Sequence, residues 1–473
     1  MSRNLVLGLF FYASLLSAAE LPSTVKNLLN NEGIPLSAVA VFAQEVDAKT
    51  PLLIINNTKM MTPASIMKLV TTYAALDMLG PTFHWETQAY TSGKLTDGVL
   101  RGDLIFAGSG DPKLLTENLW LFLHQLREQG LREINGNVVL DKSLFAETVF
   151  DAADFDQKPT RSYNAGTNAF LLNFDAINLL ITPNTGNKKP TITIKTPVAL
   201  TIDNQVALVA GECANWQDKL QAKFSVTAEG LLLQAGGTYA ASCSEQGWNV
   251  LPYPLAQETL FAAVFRKLWR EMGGTFSGEV VRGKVPTEAR AIAQWTSPDL
   301  PVVLRDINKY SNNVMAKQLF LTLGIASKAA PTSPPATTEK SQQVLKAWLH
   351  SKGINEGVVN ENGSGLSRQD KISAQALGAL LINAWRSPLM PEFIASLPLA
   401  GEDGSLKTRF TASPLKGKAH LKTGGINNVK SIAGYVFSAS GKRFVVVMIV
   451  NHEHAQNSIT AQEALLKWLY QQR

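Results

Sequence analysis

Ser65-Ile66-Met67-Lys68 is the stretch of this chain whose residue types and spacing point most directly to chemistry. An unaided serine hydroxyl is a weak nucleophile and needs a base within hydrogen-bond reach. On a helix, a spacing of three puts both side chains on one face. A helix start adds a positive backbone field beside the serine. Lysine serves as the base only when neutral, so it must be desolvated or crowded by a second cation that pulls its pKa down from about 10.4. Taken alone the spacing is common, and an exposed helix pair also accounts for it. Two further stretches carry the same double reading. Ser311-Asn312-Asn313 offers a hydroxyl that relays protons and an amide that holds a substrate carbonyl, or only a helix N-cap. Lys422-Thr423-Gly424-Gly425 offers carboxylate-binding side chains on a strand whose glycines let a substrate backbone approach, or only a solvated strand end and turn.

Other chemistries find less support. His452 and His454 stand two apart after a strand, unlike the helical zinc spacing of four, and read as a polar loop. His420 shares a strand face with Lys422, which would let it border the same cleft, but reads rather as a packing or surface residue. A Ser-His-Asp triad lacks its Gly-x-Ser-x-Gly elbow. The two cysteines, Cys213 and Cys243, are too far apart and too short of histidine neighbours for a metal or redox site. In an oxidising compartment they can pair, closing a loop of about thirty residues worth about 3 kcal/mol; otherwise they are free thiols.

The elements that must position these residues follow from periodicity. Ser37 to Gln44 and Pro51 to Ile55 read as a β-hairpin, and Thr62-Pro63-Ala64 opens a helix that runs to Leu79 and stops at Gly80-Pro81. At the other end Ala419 to Thr423 reads as a strand. Ile432 to Phe437 and Arg443 to Val450 form a hairpin around Ser440-Gly441, and Ile459 to Tyr470 is an amphipathic helix. Strands plus a helix at both ends suit one shared sheet covered by helices. A further helix, Val314 to Leu323, follows the Ser311 motif. Residues 86–292 differ: short alternating strands such as Ile192 to Ile194 and Leu231 to Leu233, with one clear helix from Glu258 to Glu271. They read as a mainly β insert of two nested parts. The Ala/Pro/Thr/Ser-rich stretch 326–338 reads as a surface loop.

With 473 residues, 45% hydrophobic and 17% charged, the chain has room for two or three soluble domains. Its net charge of +6 is mild for this length and favours an anionic wall or membrane surface. No basic run interleaved with aromatics marks a nucleic-acid groove. Arg3, the apolar run Leu5 to Leu16 and Ser17-Ala18-Ala19 read as a secretory signal peptide cleaved after Ala19. That run is too short to span a bilayer. No cysteine follows for lipid attachment, so the mature chain is expected outside the cytoplasm with no membrane span.

Ser-x-x-Lys, a Ser/Asn triplet and Lys-Thr-Gly together form the set shared by penicillin-binding proteins and serine β-lactamases. All three occur here in that order. The long insert between Ser65 and Ser311 makes the chain resemble the class C low-molecular-mass penicillin-binding proteins, D-alanyl-D-alanine carboxypeptidase/endopeptidases. Further matching stretches are Gly108-Ser109-Gly110-Asp111-Pro112, Tyr163-Asn164-Ala165 and Gly363-Ser364-Gly365-Leu366-Ser367-Arg368. The resemblance implies an α+β fold, a penicillin-binding/β-lactamase-like domain with large inserted domains. It divides the chain into signal peptide (1–19), catalytic domain (20–85 and 293–473), inserted domain II (86–165 and 251–292) and a nested β domain III (166–250).

It also implies roles. Ser65 is acylated, Lys68 is its base, Ser311 relays a proton between Lys68 and the leaving amine, and Asn313 orients the substrate, with neither metal nor cofactor in the cycle. Lys422, the second cation that helps keep Lys68 neutral, and Thr423 engage the terminal carboxylate, beside Gly424. The N–H groups of Ser65 and Gly425 form an oxyanion hole, a device worth about 3 kcal/mol. Arg368 and Asn427 match a pocket for the peptide side chain, and its acidic partner is Asp151, Asp154 or Asp156. The implied partners are peptidoglycan peptides and β-lactams, which would be trapped as covalent inhibitors. Two rivals remain: a β-lactamase, disfavoured by Ser311-Asn312-Asn313 and the insert, and an inert wall-binding protein, disfavoured because no motif is missing.

Overall fold

The computed structural model describes residues 20–148, 150–184, 186, 188–326 and 334–473. The expected signal peptide, and residues 327–333 of the expected surface loop, lie outside the described residues. Five antiparallel strands form the central sheet, in the order Leu53–Ile55, Val39–Glu45, Arg443–Asn451, Val429–Phe437, Ala419–Ile426. The two ends of the chain therefore meet in one sheet, with Val41 and Ile432 both opposite Met448.

The middle strand explains the layering. Its apolar run, Phe444 to Val450, is buried throughout, as a strand covered on both faces must be. Alternate side chains point opposite ways along a strand. Val445, Val447 and Ile449 pack with helices Lys68–Leu79, Leu300–Tyr310, Asn313–Ala326 and Ala374–Arg386. Phe444, Val446, Met448 and Val450 pack with helices Ser23–Asn31 and Ile459–Tyr470. The result is a helix–sheet–helix sandwich, with Ala419–Ile426 left as an edge strand.

The insert has its own hydrophobic core. A five-stranded sheet runs Val280–Gly283, Val138–Asp141, Leu104–Ala107, Glu86–Thr91, Arg290–Thr296, with parallel pairs around Val138–Asp141. Two further sheets use strands between Ile177 and Val250, and a disulfide joins Cys213 to Cys243 there. Helix Gln257–Glu271 lies where a helix is expected. A second helix, Thr116–Glu128, corrects the expectation of only one. Its buried Leu119, Phe122, Leu123 and Leu126 have helical spacing. The exposed Trp120 and Leu121 between them blur the contrast between faces. Among the described residues, no helix is long and apolar enough to cross a membrane.

Because the insert's core shares no cluster with the central sheet, the disulfide should matter locally. Replacing both Cys213 and Cys243 by Ser is expected to cost about 3 kcal/mol of stability in the insert. Amide exchange should quicken in the strands between Ile177 and Val250, while the central sheet keeps its protection.

Candidate active site

Ser65 lies in a 3-10 turn, Ala64–Met67, that leads into the α-helix Lys68–Leu79. The turn is strained: Ala64 has φ +52°, a left-handed conformation that costs a non-glycine residue about 1–3 kcal/mol. Distant parts of the chain hold it. The Asn451 amide clamps Thr62, accepting from its N–H at 2.8 Å and donating to its carbonyl at 2.9 Å. Ser431 donates to the Pro63 carbonyl at 2.5 Å. Two glycines close in where no side chain fits. A Cβ on Gly365 would stand 2.0 Å from the Ala64 carbonyl oxygen, and one on Gly424 would stand 2.9 Å from the Ser65 nitrogen.

Lys68 has no exposed surface. Its Nζ lies 3.0 Å from Ser65 Oγ and 2.5 Å from Asn313 Oδ1, and it also meets the Ser364 carbonyl oxygen. Burial holds its pKa well below the ordinary lysine value; the charges of Lys422 and Lys317 lower it further and Asp370 opposes them. Burial also brings Lys422 down to about 7 and Asp370 up to about 7.

The Ser311 motif works differently from a plain N-cap. Ser311 ends helix Leu300–Tyr310 in a left-handed conformation, φ +56°. It is Asn312 whose side chain accepts the Met315 N–H and caps helix Asn313–Ala326. Turning the chain at Ser311 aims its hydroxyl at Lys422, which donates to it at 2.8 Å. Lys68 and Ser311 are not bonded directly; Lys68 reaches Asn313 instead. Asp403 anchors the approach through its ion pair with Lys309 at 2.5 Å.

Lys422, Thr423, Gly424 and Gly425 run along the edge strand. Lys422 is buried and Gly425 exposed. Arg368 donates to the Asn427 carbonyl at 3.0 Å and lies over the Phe155 ring of the insert at 5.0 Å, so both expected pocket residues reach one rim. The three candidate acids are engaged elsewhere: Asp156 accepts from Tyr163 and Asn164, Asp151 caps the Ala153 N–H and contacts Tyr253, and Asp154 lies close to Tyr253. None forms an ion pair with Arg368.

His454 Nδ1 lies 2.9 Å from the Glu32 carbonyl oxygen, and His420, on the strand that carries Lys422, stacks edge-on against Phe437. Among the described residues, no cluster of His, Cys, Asp or Glu is arranged to hold a metal ion.

Several contributors escaped the sequence reading. Ser364 acts through its backbone, which no side-chain pattern reveals. Asp370 and Ser431 become visible only once the sheet closes. Ser405, whose hydroxyl lies 3.2 Å from Thr423 Oγ1, belongs to a loop with no motif. Lys317, one turn after Asn313, was legible by helical spacing.

This architecture places the chain in a known class. Its fold matches the crystal structure of penicillin-binding protein 4 from Haemophilus influenzae, with a TM-score of 0.76 at 23% identity, over 95% of this chain and 99% of that one. A predatory endopeptidase from Bdellovibrio bacteriovorus matches at a TM-score of 0.52 and 16% identity, over 92% and 93% of the chains. The fold is that of the penicillin-binding proteins.

The family is narrower. The sequence profile of the D-Ala-D-Ala carboxypeptidase 3 (S13) family matches residues 21–472; the chain belongs to that family and is a D-Ala-D-Ala carboxypeptidase. Among its relatives, D-alanyl-D-alanine carboxypeptidase DacB of Haemophilus influenzae is 26% identical over 88% of this chain and 85% of its own. D-alanyl-D-alanine carboxypeptidase of Actinomadura sp. (strain R39) is 27% identical over 83% and 73%.

Gly365 provides a direct test of the strained turn. With φ +79° and the Ala64 carbonyl against it, Gly365→Ala should displace Ser65. An error of an ångström in a reacting group costs about 10²-fold. Release of D-alanine from a D-alanyl-D-alanine peptide should drop by that order, with little change in far-ultraviolet circular dichroism.

Proposed function

We propose that the chain hydrolyses both D-alanyl-D-alanine termini and D-alanyl cross-links of peptidoglycan through an acyl-enzyme on Ser65, and that penicillin is trapped on the same serine. The observation that carries this reading is the set of partners around Lys68 Nζ. A neutral primary amine has two hydrogens and one lone pair. The Asn313 amide oxygen and the Ser364 carbonyl can only accept. They take the two hydrogens, and the lone pair is left for the Ser65 hydroxyl.

From that ground state the chemistry follows. Ser65 Oγ attacks the carbonyl carbon of the penultimate D-alanine as its proton passes to Lys68. The N–H groups of Ser65 and Gly425 receive the developing oxyanion. The C–N bond then breaks as the leaving amine takes the proton that Lys68 accepted, passed on through the Ser311 hydroxyl that Lys422 holds, and Lys68 is neutral again. Water attacks the ester as its proton passes to Lys68, and that proton returns to Ser65 Oγ as the acyl group leaves. Lys422 and Thr423 bind the terminal carboxylate, Asn313 orients the peptide, and Arg368 with Asn427 meets its side chain. The exposed edge strand leaves room for a cross-linked peptide. The inserted units, 86–165 with 251–292 and the nested 166–250, rim this cleft through Phe155. With 1–19 as signal peptide, the enzyme would work in the periplasm.

Ser65→Ala should abolish both labelling by fluorescent penicillin and D-alanine release; labelling that survives would end this reading. Mass spectrometry of digested cross-linked muropeptides should show monomers from dimers as well as free D-alanine.

The pH dependence follows from the lysine cluster. Acylation needs neutral Lys68, so the rate falls as pH drops through the Lys68 pKa. Below about pH 7 Lys422 gains its proton, and that charge keeps Lys68 neutral to lower pH. Lys422→Met removes the charge, so the acid limb of the penicillin acylation profile should move to higher pH. An unmoved limb would refute the account of base activation.

A further inference from the structure

Lys317 is a cation that the reaction scheme leaves unused. It lies four residues after Asn313 on helix Asn313–Ala326, which puts both side chains on one face, and Asn313 touches Lys68 Nζ at 2.5 Å. Its own Nζ is held by the insert, 3.3 Å from the Ala165 carbonyl oxygen and 5.4 Å from the centre of the Phe150 ring. The adjacent Gln318 locks the same segment, accepting from Asn168 N–H at 3.0 Å and donating to its carbonyl at 2.8 Å. Among the described residues, no acidic side chain pairs with Lys317; Glu361, whose charge it feels, is held by the Ser367 hydroxyl.

We propose that Lys317 is a positioning residue for the catalytic base: the insert pins its unpaired charge near Lys68, and that charge keeps the Lys68 amine free of a proton. Docking of the insert is thereby coupled to acylation. The inference rests on Lys68 being the base of Ser65. A carbonyl oxygen and a ring face stabilise an ammonium group without neutralising it, so its field persists, as a carboxylate partner would not allow. The charged groups facing this pair are Lys422 from the edge strand and Asp370 and Glu361 from the 360–370 loop. Lys422 acts in the same direction, Asp370 against it. Burial brings Lys317 itself down to about 8, so its influence is present below that pH and fades above it.

The test is the second-order rate of acylation by a fluorescent penicillin between pH 5.5 and 9.5, on the full chain, for Lys317→Met and Lys317→Arg. Lys317→Met should shift the acid limb up by about half to one pH unit, making acylation about three- to tenfold slower at pH 6. The parent and Lys317→Met profiles should converge near pH 9, where Lys317 is uncharged. Lys317→Arg, which keeps the charge, should retain the parental limb. A limb unmoved in Lys317→Met, with only a lower melting temperature, would reduce Lys317 to a docking contact and overturn the proposal. An equal loss at every pH, or an arginine variant that behaves like methionine, would overturn it too. Labelling of Ser65→Ala, by contrast, would strike the underlying reading, which every one of the Lys317 outcomes leaves standing.

Discussion

A primary amine held out of water sets the terms for its whole neighbourhood. An ammonium group at the place of Lys68 would give up several kcal/mol of hydration, and no carboxylate sits at contact distance to repay it. The buried acid whose charge favours that ammonium group, Asp370, is a weak counter-charge because burial pushes it up as well and leaves its Oδ2 without a partner. Dropping the proton is the cheaper solution. Once neutral, the amine needs two acceptors and a donor, and those are the Asn313 amide, the Ser364 carbonyl and the Ser65 hydroxyl. The proposed base is thus made by its surroundings.

Those surroundings are remote in sequence. The turn that presents Ser65 depends on Asn451 and Ser431 from two C-terminal strands, on Gly424 from the edge strand and on Gly365 from a polar loop. A left-handed alanine persists only where neighbours over-determine it. Because strand Val39–Glu45 pairs with Arg443–Asn451, the Ser65 turn is complete only where the sheet is closed.

Much of this was legible from residue spacing. The hairpin pattern at each end of the chain placed both in one sheet, and the apolar runs Ile432 to Phe437 and Arg443 to Val450 gave two of its strands. The three motifs named the side chains that the structure brings together: Ser65 with Lys68, Lys68 with Asn313, Lys422 with Ser311. What periodicity does not encode is backbone direction. That Ser311 turns left-handed at the end of one helix, instead of capping the next, is decided by its contact with Lys422 and the anchor at Lys309. Backbone acceptors such as Ser364 have no sequence signature. The helix Thr116–Glu128 had one, but Trp120 and Leu121 on its open side obscured it.

The helix Asn313–Ala326 joins these two kinds of information. Met315, Ala316, Leu319, Phe320 and Leu323 pack into the main core. Val314 packs with Ala152, Ala165, Leu171 and Leu251 of the insert, and Leu321 with Phe145 and Ala169. Lys317 and Gln318 fill the turn between Val314 and Leu321 with polar contacts to the same segment. A helix apolar on every side is one that is buried on every side, and here the two sides belong to different cores. Neither core can slide along it without opening the other. The amide 2.5 Å from the Lys68 amine is that of Asn313, the helix's first residue, so the insert is joined through this helix to the proposed base.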